Sequence, residues 1–264
     1  MFILTNYMTK QSKNYNYQSD SSLVSGHYRN SEFEAYAERI YFCTFTLDNS
    51  TGSTDPAVDL SAAKFCRVRY CPVCQWRRSL MWKAKAYQVL PIIVEAYPNY
   101  RWLFLTLTVK NCAIADLKET LTWMHESFKR MTKLKSFPAV GWLKSTEVTR
   151  EKDRSAHPHF HCLLLVKPSY FGKNYIKQSE WVDTWRRCLK IDYNPVLDVQ
   201  AIERQGDAKE LTSMLSSYWV REAELTDDRE WFLELTRQTH KLRFVSSGGV
   251  LKDYLSQPRF PALA

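Results

Sequence analysis

VGWLKSTEVTREKDRSAHPHFHCLLLV, residues 140–166, decides the fold. Its two ends are short, β-prone runs, and the middle, REKDRSA, is charged and turn-forming. The stretch therefore reads as a β-hairpin. The second strand carries HPHFH at 157–161 and runs on through apolar Cys162 to Val166 before Pro168. Alternate side chains of a strand share a face. His157, His159 and His161 then point one way, and Pro158 and Phe160 the other. One such histidine reads as an ordinary satisfied side chain. Three of the chain's six at i, i+2 and i+4 read as a divalent-cation site.

A turn centred near Asp153 and Arg154 puts Glu147 almost opposite His161 and on the same face. Two imidazoles, a carboxylate and open water positions suit Mg²⁺ or Mn²⁺ beside a phosphate. A zinc hydrolase is the chemical rival. It usually needs a third nitrogen or an Asp near the pair, and HPHFHCLLL has no Asp.

Around the hairpin, WLFLTLTV (102–109) reads as a strand and residues 114–134 as an amphipathic helix with Asp116, Lys118 and Glu119 outward. Residues 179–190 read as a helix, 194–203 as a strand, and 207–222 and 227–242 as helices. Gly248 and Gly249 should break the chain. The order β-α-β-β-α-β-α predicts an α+β fold, an antiparallel sheet flanked by helices and similar to a ferredoxin-like plait.

The first hundred residues differ in character. Residues 1–30 are polar and aperiodic, the composition of a mobile arm. SEFEAYAERIYF suggests a short helix entering a strand, and residues 48–59 a loop. Cys66, Cys71 and Cys74 form C-x₄-C-x₂-C with a proline inside the knuckle, a strong Zn²⁺ signal. Cys43, on the strand before the loop, is the first choice for a fourth ligand and His27 the second. A long basic helix follows, which Pro91 should kink or end. Its Arg77, Arg78 and Lys83 suit phosphate contacts, or simply face water. Three regions result: a polar arm (1–30), a zinc-knuckle and basic-helix appendage (31–100) and a catalytic domain (101–264).

The net charge of +9 favours a polyanionic partner such as nucleic acid. No apolar run reaches the roughly 18 residues needed to span a bilayer, and the start is too weakly apolar for a signal peptide. A soluble, intracellular chain is expected. There, seven Cys suggest metal or structural thiols before disulfides.

If a cation polarises a phosphodiester, something must attack it. Tyr170, Tyr175, Tyr193 and Tyr218 are the candidates after the hairpin. By pattern alone, Tyr218 reads more readily as a core aromatic on its helix.

Together FLTLTV (104–109), HPHFHCLLLV (157–166) and the Tyr-bearing SSYWVRE resemble the rolling-circle plasmid replication initiators of the HUH endonuclease superfamily. The likeness covers about residues 40 to 255. It implies that His159 and His161 bind the metal with Glu147, while His157 stands in a supporting position. It implies that Tyr218 is the nucleophile, with Arg221 one turn on. The implied reaction nicks and joins single-stranded DNA at a plasmid origin through a 5′-phosphotyrosyl link, leaving a 3′-hydroxyl primer. Bacterial cytoplasm, a host helicase and a host polymerase go with that role, and a homodimer is left open. One departure stands out. The family often has Glu where this chain has Met214, and Glu210 lies one turn away in a different direction. Two other readings are a non-catalytic zinc-dependent DNA-binding protein and a single-Tyr transposase of the same superfamily.

Overall fold

The computed structural model describes residues 17–50, 65–202 and 228–256. The chain divides into two compact units. One comprises Met1–Leu80, Val220–Leu233 and Pro258–Ala264, the other Met81–Trp219 and Glu234–Gln257. The described helices are α1 (Tyr17–Tyr28), α2 (Glu34–Ser50), α3 (Pro72–Ala96), α4 (Leu117–Met131), α5 (Gln178–Leu189), α6 (Arg229–Gln238) and α7 (Val250–Ser256). The strands are β1 (Arg101–Thr108), β2 (Ala139–Arg150), β3 (Ala156–Val166), β4 (Leu197–Ile202) and β5 (Val245–Gly249).

In the second unit the five described strands pair antiparallel in the order β4-β1-β3-β2-β5. The β-α-β-β-α-β connection through β4 is that of a ferredoxin-like plait, with β5 added at the edge of β2. Gly248 and Gly249, expected to break the chain, instead end β5. The reason is close approach. A Cβ on Gly248 would lie 2.4 Å from the Trp142 ring, and Gly249 has φ +56 with the Val140 carbonyl against it. Only glycine lets the backbone pass there.

The hairpin forms as expected, but its register differs. Glu147 lies opposite His159, and Ser145 opposite His161. The turn centres on Asp153, whose Oδ1 accepts the Ser155 N–H at 3.0 Å. The shift is two residues, one full period of a strand, so each side chain keeps its face.

One sheet face buries Trp102, Phe104, Leu143, Leu163, Leu165 and Ile202 against Ala86, Val89, Leu90 and Ile93 of α3 and Leu251 and Leu255 of α7. Each such large apolar side chain contributes about 1.5–3 kcal/mol by leaving water. The other face meets α4, where Phe128 lies 5.0 Å from Trp142 and 6.2 Å from Phe160 between ring centroids. Trp185 of α5 donates to the Thr108 carbonyl at 2.9 Å. Trp123 of α4 donates to the Leu189 carbonyl at 3.1 Å. These bonds satisfy indole N–H groups that burial would otherwise strand.

Pro91 does not end α3: the helix continues to Ala96. Pro91 is exposed, so water can take the carbonyl it leaves without a donor.

In the first unit, part of the polar arm, Tyr17–Tyr28, is the helix α1. Tyr28 is fully buried among Phe33, Tyr36 and Phe232. Arg229 donates to the carbonyls of His27 at 3.1 Å and Arg29 at 2.8 Å, closing the end of α1. The strand expected around Cys43 is a correction: α2 stays helical through it. Ala37, Ile40 and Cys43 are buried while Glu38, Tyr41 and Phe42 are exposed. That spacing of three is helical and outweighs the β propensity of YFCTFT.

Candidate metal centres

The two carriers of the first site are neighbours in the sheet. β3 presents His159 and His161, and β2 presents Glu147. Nε2 of His159 lies 2.6 Å from Glu147 Oε2, and Nε2 of His161 lies 2.8 Å from the same oxygen. The three side chains are 13%, 6% and 11% exposed respectively. Burial works against the charge on Glu147. The hydrogen bonds and charge of the two rings outweigh it, and its carboxyl falls to about 2. A permanent anion between two imidazole nitrogens is a donor set for a hard divalent ion with water completing the shell. His157 stands apart from this convergence. Its Nδ1 pairs with Glu151 at 3.1 Å, near the turn.

β1 lies on the other side of β3. Thr106 is opposite His161 and Thr108 opposite His159. Asp198 of β4 is in turn opposite Thr106, which adds a second carboxylate to that face. None of these was singled out from sequence. The usable signal was the alternation in FLTLTV, which sets Phe104, Thr106 and Thr108 on one face of the strand and Leu105 and Leu107 on the other.

Behind β3, on the opposite face, Lys144 is buried, with no carboxylate paired to it among the described residues. Its Nζ lies 2.7 Å from His125 Nδ1 and 3.7 Å from the centroid of Phe160. Burial lowers the Lys144 ammonium to about 8. Burial and then the Lys144 charge lower His125 to about 4.

In the first unit, Cys43, Cys66, Cys71 and Cys74 bring four sulfurs within 4.8 Å of one another, all buried. Sγ of Cys74 lies 3.8 Å from that of Cys43 and 3.5 Å from that of Cys66. The Arg67 N–H points at Cys74 Sγ from 3.3 Å. Hydrogen bonding, first from Cys43 and then from Cys66 and Cys71, lowers the Cys74 thiol. The same cluster, with Cys43 again first, raises Cys66 and Cys71. Four thiols this close share too few charges to be thiolates together. A tetrahedral divalent ion removes that conflict, and the donor set fits zinc. His27 is not in this cluster; its ring packs 5.4 Å from Phe232.

The cationic candidates separate. Arg78 donates to the carbonyls of Cys74 and Val68, both at 3.1 Å, and of Arg69 at 2.6 Å. Its guanidinium is thus engaged in holding the knuckle. Arg77 is exposed and lies over the Phe65 ring at 4.1 Å. Lys83 is on α3. Tyr218 and Arg221, with Met214 and Glu210, lie outside the described residues. Of the other tyrosines, Tyr170 is buried, accepts from Trp181 at 3.1 Å and has its phenol raised by burial. Tyr193 accepts the Lys110 N–H at 3.2 Å. Tyr175 is exposed. Among the described residues no helix is long and apolar enough to cross a membrane.

Comparison with known proteins agrees with the motifs. The family model described as "Replication protein" matches residues 57–262. A "Protein rep" of Bacillus amyloliquefaciens is 33% identical over 264 residues, covering 90% of this chain and 76% of its own length. A "Protein rep" of Lactiplantibacillus plantarum is 38% identical over 205 residues, covering 72% of this chain and 65% of its own. A "Replication protein" of Staphylococcus aureus is 35% identical over 181 residues, covering 63% of this chain and 77% of its own. No solved structure matches. The family match takes in the Cys knuckle and the His strand alike, and the chain belongs to the replication protein family.

Proposed function

We propose that this chain initiates rolling-circle replication of a plasmid by nicking and rejoining single-stranded DNA at the origin. The observation that carries the reading is the meeting of His159 Nε2 and His161 Nε2 at one oxygen of Glu147, on a plait whose family is replication proteins. His159 and His161 would offer neutral nitrogens, and Glu147 the negative charge, to Mg²⁺ or Mn²⁺. Bound there, the ion would neutralise charge developing on the scissile phosphoryl group.

Tyr218 is the nucleophile in this reading. Its phenol oxygen attacks phosphorus as the bond from phosphorus to the 3′-oxygen breaks. The phenol proton passes to a base or water, and the 3′-oxygen takes up a proton. The product is a 5′-phosphotyrosyl link and a free 3′-hydroxyl. One phosphoester replaces another, so the bond energy is kept and rejoining needs no ATP. A phenol ionises near pH 10 unless helped, and the guanidinium of Arg221, three positions on in sequence, would supply a charge that favours the phenolate. The 3′-hydroxyl primes a host polymerase, and a host helicase opens the duplex ahead. This work belongs in bacterial cytoplasm. The Cys cluster would hold Zn²⁺ and order the start of α3. Arg77, Lys83 and Arg221 would bind the DNA backbone, while Arg78 holds the carbonyls of the knuckle.

The test is incubation with single-stranded origin DNA and Mn²⁺, then EDTA, followed by a denaturing gel and mass identification of the adducted peptide. A metal-dependent adduct on Tyr218, absent from Tyr218→Phe, is expected. An adduct on another tyrosine removes the nucleophile assignment. Salt-sensitive binding with no adduct favours a zinc-dependent DNA-binding protein instead.

A further inference from the structure

The FLTLTV strand bears no residue used in the reaction above, yet its polar face lies against the His pair. We infer that Thr106 is a positioning residue that fixes the His161 imidazole for metal binding; the inference rests on the metal reading of the Glu147 site. Thr106 stands directly across from His161 in the β1–β3 ladder. Its Oγ1 lies 3.4 Å from His161 Nδ1, a long hydrogen bond. Phe104, two residues back on the same face, stacks on the same ring at 5.7 Å and 14°. The two side chains meet the ring from its face and from its Nδ1 edge.

The chemistry needs such a partner. A neutral imidazole has one N–H and one lone pair, and the hydrogen bond made by one nitrogen decides which is which. His159 is settled by its own strand. Its Nδ1 faces the His157 carbonyl at 3.2 Å, an acceptor only, so Nδ1 carries the hydrogen and Nε2 is left for the cation. His161 has a hydroxyl in the matching place. When Thr106 accepts from Nδ1–H, Nε2, which donates to Glu147 while no metal is bound, is the nitrogen that can give up its hydrogen and turn its lone pair to the cation. Ligand imidazoles generally require an outer partner of this kind, and its loss weakens metal binding by about 10- to 100-fold. The proposal explains why a threonine, and not another Leu or Val, stands between Leu105 and Leu107 in this strand. Valine fills the same volume and lacks the acceptor.

The experiment uses the full chain as wild type, Thr106→Val, Thr106→Ser and Glu147→Gln, each checked by thermal melting. The first measurement is Mn²⁺ affinity by electron paramagnetic resonance. The second is the His161 Nδ1–H proton signal by NMR of the metal-free protein under mildly acid conditions, where Nε2–H donates to Glu147 and Nδ1–H to Thr106. Thr106→Val should weaken Mn²⁺ binding about tenfold and lose the Nδ1–H signal to solvent exchange. Thr106→Ser should retain both. Unchanged affinity or an unchanged signal in the Val variant overturns the proposal, as does a Ser variant no better than Val. If the wild type takes up no Mn²⁺, the metal reading fails, and the proton signal of the Val and Ser variants still decides whether Thr106 holds the ring. Should the Val variant not fold, Thr106→Ala is read by the same two measurements.

Discussion

The Cys43, Cys66, Cys71, Cys74 cluster and the Glu147, His159, His161 cluster differ in number and openness. The first offers four soft sulfurs, all buried, and so a complete tetrahedron. The second offers three harder donors, two of them partly exposed, on the face of a sheet. A closed set contributes to folding, while an open set leaves positions for water or a phosphate. The supports differ in kind as well. The sulfurs come from α2, from the loop before α3 and from the first turn of α3, pieces with little other reason to meet. The His and Glu side chains come from a hairpin that its own ladder already holds in register.

The largest effect should come from breaking the closed cluster. Cys71→Ser, or removal of zinc by a chelator, should unfold the first unit and leave the plait folded. Structural zinc sites supply about 10–16 kcal/mol to small domains. Hydrogen exchange by mass spectrometry should show the change in residues 17–50 and 65–80 and little in β1 to β4. Equal loss in both units would break the contrast.

The open cluster should behave in the opposite way. Glu147→Gln keeps the shape, loses the charge and should reduce DNA nicking by about a hundredfold or more, as removal of a preorganised charge commonly does. Its melting temperature at neutral pH should fall by the modest stability that the paired carboxylate adds, with the plait still folded. The pH dependence checks the same carboxylate. Its folded value of about 2 lies below the ordinary value of 4.5. The stability it adds is therefore present above pH 4.5 and is lost as pH falls toward 2, and the Gln variant should lack that acid-side slope. A melt of the Gln variant that falls like wild type in acid would contradict the assigned pairing.

Lys144 and His125 supply a control, a buried polar pair on the other face with no carboxylate between them. The Lys144 ammonium titrates at about 8 in the fold against 10.5 free. The unfolded chain therefore holds a proton that the folded chain lacks between those values, and stability should rise with pH across that window. Lys144→Met removes the cost of a buried charge. It should stabilise the protein at pH 7 by about 1–3 kcal/mol, less the lost contact with Phe160, and the gain should vanish above pH 10.5. Denaturant titrations at pH 7 and pH 10.5 measure both. A loss of stability at pH 7 would show that the ammonium–Phe160 contact outweighs desolvation.

How far these features could be read in advance depends on the range over which their causes act. HPHFHCLLLV declares its strand, its face and its ligands because alternation is local. The Cys spacing declares a knuckle for the same reason. The exact partner of Glu147 depends on where a five-residue turn folds, and the tight αL residue there is Arg154, φ +67, where glycine or asparagine would have marked it. β5 escaped notice because VSSGG has no apolar alternation and exists by pairing with β2. The helix through Cys43 escaped because β-branched and aromatic side chains disguise a spacing of three. Thr106 was visible within FLTLTV, but its neighbour across the ladder is 55 residues away.

The smallest expected effect separates two adjacent arginines beside the closed cluster. Arg78 serves three carbonyls of the knuckle, so Arg78→Ala leaves acceptors unpaired and should lower stability by about 1–3 kcal/mol. Arg77 is exposed over Phe65 and serves none of them. Arg77→Ala should leave the melting temperature almost unchanged. If Arg77 binds a phosphate of single-stranded DNA, its loss should weaken binding a few-fold and reduce the slope of log affinity against log salt by about 0.7. Fluorescence anisotropy at several salt concentrations measures that slope. An unaltered slope would leave Arg77 a solvated cation stacked on Phe65, and the search for the DNA contact would move along α3 to Lys83.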